Sequence, residues 1–180
     1  MSTVEHWQNR RVRTIVEADA ADLAVIAEQL GRVPRGVVGV AWRCPCRRPG
    51  VIATAPRLPP DDSPFPTTFY LTCPRAVAGC SRLEAGGLMA VMTGRLQADA
   101  DLAAQYQAAH VAYLADRAAL ARELGVADVP RPETSAGGMP SRVKCLHALV
   151  GHALAAGPGV NPLGDEAVAA LGAFWEESCA

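Results

Sequence analysis

Four thiols are the first residues that invite chemistry. Cys44 and Cys46 flank a proline, Cys73 precedes another, and Cys145 stands in the run RVKCLH that ends at His147. Thiolates are the ligands of structural zinc and of iron–sulfur clusters, and four of them suit either. Cys44, Cys46, Cys73 and Cys145 are therefore the candidate metal ligands, with zinc or an iron–sulfur cluster as the expected cofactor. The spacing is neither a pair of CxxC knuckles nor a ferredoxin run, so two other readings stand beside it: a reactive thiol site without metal, and plain buried cysteines behaving as small hydrophobes. Cys80 fits a helix interior and Cys179 a chain end, and neither is counted.

The surroundings of Cys145 add cations and imidazoles. Residues 140–156 read as one helix, with Pro140 in its first turn. On a wheel, Val143, Leu146, Val150, Ala153 and Leu154 cover one side, while Ala148, Gly151 and Ala155 form a smooth second face that admits another backbone. A helix apolar nearly all round is buried, and the polar groups it carries then need partners. Those groups are Arg142, Lys144, Cys145, His147 and His152. Cys145 and His152 fall about 20° apart at 100° per residue; His147 lies in the aliphatic stripe, where a core histidine bonded to a backbone carbonyl is the plain alternative. Lys144 is the one lysine among seventeen basic residues. Its compact ammonium has a shiftable pKa that guanidinium lacks. Ahead of the helix, the glycines of TSAGGMP would let backbone N–H groups approach an anion, with Arg142 and Lys144 to reinforce them; an ordinary flexible loop before a capped helix is the plain alternative.

A second stripe lies on a long helix. Tyr106, His110, Tyr113 and Arg117 stand at i, i+4, i+7 and i+11 and share one face. Together they suit anion binding or proton transfer, or else a satisfied polar seam between helices. Lys144, His152 and His110 are the catalytic candidates. Tyr106, Tyr113, Arg117, Arg142, His147 and Arg82, the last of eight arginines between Gly31 and Arg82, are the candidates for holding a small anion.

The elements that must position these groups follow from pattern. Half of the 180 residues are hydrophobic, 19% are charged, and the formal net charge is −1. That is a globular composition, and it offers no general attraction for nucleic acid or an anionic membrane surface. No apolar run approaches the roughly 18 residues of a membrane span, and residues 1–13 lack a secretory h-region. A cytoplasmic protein with reduced thiols is the expectation. Residues 1–13 read as frayed and 14–178 as a single domain. A helix capped at Asp19 or Asp22 carries Leu23, Ile26, Ala27 and Leu30 on one stripe and stops at Gly31. Strands are expected over 36–43, 51–58 and 67–72, with a proline-rich loop over 59–66. Helices are expected over 76–85, 87–96, about 99–124, and from about Asp165 onward. Strands first and helices afterwards predict an α+β fold, a small antiparallel sheet of about three strands followed by five or six helices.

The runs RCPC, PFPTTFYLTCP, SRLEA, the spaced AAH-x-x-Y-x-x-x-R and the long TSAGGMP-x-RVKCLHALVGHALAAGPGVNPLGD resemble the bacterial, mainly actinobacterial, family called domain of unknown function 501. The likeness runs from about Asp22 to Trp175. It implies no activity. It draws attention to Cys44, Cys46, Cys73, Arg82, His110, Tyr113, Arg142, Lys144, Cys145, His147 and His152 as parts of shared motifs, and its gene neighbourhood hints at cell division or phosphate metabolism. The leading expectation is a metal-binding protein, enzymatic or not, whose thiol-held metal lies beside a cationic small-anion site. The alternatives are a metal-free thiol or histidine enzyme that binds phosphate or another anion, and a non-enzymatic partner-binding protein linked to division.

Overall fold

The computed structural model describes residues 15–175. The expected frayed segment 1–13, Cys179 and the two ends of the 14–178 unit lie outside them.

Helix α1 (Ala20–Leu30) begins where a reciprocal cap forms: Asp22 N donates to the Asp19 carboxylate at 2.8 Å, and Asp19 N to the Asp22 carboxylate at 3.4 Å. Gly31 ends the helix in the left-handed region, as a residue without Cβ allows. Ile26 faces the core as expected, but Leu23 is exposed and Asp22 is buried in its stead. The buried carboxylate is tolerated because both its oxygens accept from the Arg43 guanidinium, at 2.7 and 2.6 Å.

Strands β1 (Val37–Arg43), β2 (Pro49–Thr54) and β5 (Phe69–Leu71) form an antiparallel sheet in the order β1-β2-β5. The central β2 is buried along its whole length. The predicted second strand is cut short at Thr54. Its continuation becomes β3 (Arg57–Leu58), which pairs with β4 (Ser63–Pro64) inside the predicted loop. Arg57 of β3 donates from Nε to Asp128 O at 3.1 Å, which ties this small hairpin to the loop after the long helix.

The rest is helical: α2 (Pro74–Ala85), α3 (Leu88–Ala98), α4 (Ala100–Leu124), α5 (Leu146–Ala156) and α6 (Pro162–Ala170). The molecule is thus α+β, a three-stranded antiparallel sheet with six helices among the described residues. Helix α6 begins ahead of the expected Asp165 because Asn161 caps it through Gly164 N.

The expectation for residues 140–156 needs correction. Helix α5 starts only at Leu146, so Pro140, Arg142, Lys144 and Cys145 precede it. Gly137 and Gly138, both at positive φ, fold the chain back on itself: Lys144 N donates to Gly137 O at 2.7 Å and Arg142 N to Gly138 O at 3.2 Å. These bonds spend the amides of the predicted first turn on a reverse turn. From Leu146 onward the helix is buried as read, and the small face works as read too. A Cβ on Gly151 would lie 2.7 Å from Phe69 O, so the backbone of β5 rests directly on α5.

Candidate metal centre

Helix α2 presents Val77, Ser81 and Glu84 at i, i+4 and i+7, one face of a helix. That face meets the start of α5. There Cys145 is the cap residue, in extended backbone, and His147 occupies the first turn. The His147 ring is held at both nitrogens. Its Nε2 stands 3.2 Å from Val77 O and 3.4 Å from Ser81 Oγ. A carbonyl oxygen only accepts, so Nε2 carries the proton. The remaining nitrogen, Nδ1, faces Glu84 Oε1 at 3.1 Å and Cys145 Sγ at 3.9 Å.

One ligand atom from each of Glu84, Cys145 and His147 lies within 4.8 Å of the other two. Zinc bonds to oxygen, nitrogen and sulfur in a tetrahedron set ligand atoms roughly 3.3–3.6 Å apart, and the observed separations bracket that range. Leu146 N donates to Glu84 Oε1 at 2.7 Å, which orients the carboxylate and meets one of the unpaired amides at the helix start. Metal-ligating histidines give their second ring N–H to a carbonyl or carboxylate, and their carboxylate neighbours are themselves hydrogen-bonded. Both arrangements are in place here.

The thiol of Cys145 is pushed up, first by burial and then by Glu84, while the amides of Ala148 and His147 pull it down. An undisturbed Cys145 is thus a thiol and needs a cation to become a thiolate. Cys80, nearby and fully buried, is driven up to about 12, mainly by burial and further by Glu84, Cys145 and Cys73. It behaves as a small hydrophobe, as the sequence indicates.

Cys145 and His147 also line a half-open cavity of about 590 Å³ between α1, β5 and α2. Leu30, Phe69, Leu71, Pro74 and Val77 make its walls largely apolar, and no lysine or arginine lines it.

A family model described as Protein of unknown function (DUF501) matches residues 40–169, well over half of the chain and every member of this group. The chain belongs to the DUF501 family. No curated protein and no solved structure matches it.

Of the ligands expected for the DUF501 chain, the three-residue group contains Cys145 alone. The first and third strands of the sheet do end on the same side, so Cys44 follows β1 and Cys73 follows β5 at one end of the sheet. Among the described residues, however, no three of Cys44, Cys46, Cys73 and Cys145 gather within the span of a single ion. The two residues that complete the group were read differently. The sequence pattern puts His147 among the anion holders and shows Glu84 only as a letter of SRLEA. No local spacing marks Glu84 as a ligand, because its meeting with Cys145 and His147 depends on how α2 approaches the start of α5.

The catalytic and anion-binding candidates are dispersed. His152 is fully buried in the core, where Asn161 Nδ2 lies 3.2 Å from its Nδ1 and Phe69 stacks on the ring at 5.9 Å. Arg82, Arg142 and Lys144 are exposed. The helix start that TSAGGMP was expected to offer an anion is occupied by the Glu84 carboxylate.

The long stripe proves to be a seam. Tyr106 donates to Arg142 O at 3.3 Å, and Tyr113 accepts from Thr68 N at 2.6 Å and donates to Pro66 O at 3.1 Å. Arg117, fully buried, donates to Asp128 Oδ1 at 2.7 Å, Thr134 O at 2.6 Å and Pro132 O at 2.7 Å. His110 Nδ1 lies 2.8 Å from Ser135 Oγ, whose own proton goes to Met139 O at 3.3 Å. Each residue is spoken for by the loop over 126–143 or by the segment before β5.

Proposed function

We propose that this DUF501 protein binds one zinc-class divalent ion through Glu84, Cys145 and His147. The observation that carries this reading is the His147 ring. Its Nε2 proton is committed to Val77 O, which leaves Nδ1 turned toward a carboxylate and a thiol at once. Nδ1 stands 3.1 Å from the Glu84 carboxylate, a contact that either a proton on Nδ1, as an ion pair, or a metal ion bound there accounts for. The mixed oxygen, nitrogen and sulfur set suits zinc better than the all-thiolate shell of an iron–sulfur cluster. Three protein donors beside a cavity leave a coordination position open, the pattern of sites that engage a further molecule rather than of closed structural sites.

The same geometry disfavours metal-free thiol catalysis. A nucleophile–base–orienter relay needs cysteine and carboxylate on opposite nitrogens of the imidazole, whereas here both address Nδ1. The exposed Lys144 and the buried His152 add nothing to that relay.

The test is titration of metal-free protein with Zn²⁺ or Co²⁺ against a chelator of known affinity. One equivalent is expected to bind. His147→Ala and Cys145→Ser should each weaken binding about 100-fold or more, and Ser81→Ala, which removes only a hydroxyl 3.4 Å from Nε2, by about 10-fold at most. Cobalt bound to a thiolate shows an intense near-ultraviolet charge-transfer band, which Cys145→Ser should abolish. Binding that survives all these changes, or iron and sulfide in anaerobically purified protein, overturns the assignment.

A further inference from the structure

We infer that the open coordination position belongs to a small, largely apolar molecule carrying a single thiol or other soft anionic donor, whose body fills the cavity between α1, β5 and α2. This rests on the metal reading above and adds the class of ligand to it. Volume is the first support: about 590 Å³ falls inside the roughly 300–1,000 Å³ of small-molecule sites. Charge is the second. A divalent ion held by the Glu84 carboxylate, the Cys145 thiolate and neutral His147 is neutral overall. None of the other lining residues is charged, and none is a lysine or arginine. Phosphates and nucleotides, which are held by cationic forks and clusters of amides, find no such partner here. A ligand of this site gains its affinity from one inner-sphere bond and from contact with Leu30, Phe69, Leu71 and Val77.

Placement is the third support. Cys145 and His147 line the cavity, whereas Glu84 does not. The unfilled position therefore opens toward the apolar walls. On binding, the incoming thiol displaces metal-bound water, releases its proton to solvent, and forms a metal–sulfur bond without any change of oxidation state.

The experiment uses the full chain loaded with one equivalent of Co²⁺ and two probes with the same donor, 2-phenylethanethiol and 2-mercaptoethanol. Growth of the sulfur-to-cobalt band measures each midpoint. The phenyl compound should bind at least tenfold more tightly. Ala78→Trp, at an exposed position on the cavity wall, should weaken the phenyl compound at least tenfold while leaving Co²⁺ affinity within twofold. Equal midpoints for the two thiols, or an indifferent Ala78→Trp variant, would refute the inference and leave the metal site standing. Absence of any cobalt band in the protein alone would remove both.

Discussion

A carbonyl oxygen settles which nitrogen of His147 faces the other donors. Val77 O can only accept, so the ring must offer it Nε2–H, and Nδ1 is delivered to Glu84 and Cys145. His110 shows the opposite fate for an imidazole. It is buried beside Arg117, and its pKa is lowered, first by burial and then by that guanidinium. A depressed histidine is neutral in the fold and takes up its proton more readily once unfolded. Its stabilising contribution is complete above the ordinary value of 6.5 and is lost as the pH falls through the lower folded value. Urea unfolding followed across pH 4–8 should show stability declining below about 6.5, with a shallower slope in His110→Gln. A slope unchanged by that substitution would assign the acid sensitivity to other groups.

Among the elements, α5 does the most to organise the molecule, and its packing reverses a general rule. Replacing glycine by alanine inside a helix ordinarily stabilises by about 1 kcal/mol. At Gly151 the added methyl would stand 2.7 Å from Phe69 O, so Gly151→Ala should instead cost about 1–3 kcal/mol, the usual range for overpacking, as read from the shift in denaturation midpoint. A stabilised variant would mean that β5 does not lie against this face. The smooth surface was legible in the sequence because small residues recurring at helical spacing have few other uses. The start of α5 was not legible. Pro140 is compatible with a first helical turn, and what overrules it is a pair of bonds from Lys144 and Arg142 to Gly137 and Gly138. The same limit hid the site. Periodicity identified α2 and α5 separately, but whether Glu84 or another thiol meets Cys145 depends on how two helices approach each other, and no local pattern encodes that.

At the scale of the whole molecule, the seam on α4 and the Glu84, Cys145 and His147 group at the start of α5 draw on different polar residues. Arg117 is fully buried and bonds a carboxylate and two carbonyls of the loop that follows α4. Arg117→Leu would leave all three acceptors without their donor, so a loss of about 3–5 kcal/mol is expected from breaking the buried pair, measured by calorimetry or urea titration. Metal affinity per folded molecule should stay unchanged, since Arg117 touches none of Glu84, Cys145 or His147. That separation would show the seam to be scaffold. Among the described residues no helix is long and apolar enough to cross a membrane. Glu84 already reaches across 62 positions of sequence to hold Leu146 N. An ion added at that junction would act as a removable staple, tying the end of the sheet-and-α2 half to the start of the last helical pair. An ion that binds the folded junction and not the unfolded chain stabilises by mass action, so the protein's resistance to unfolding would rise with the supply of metal around it.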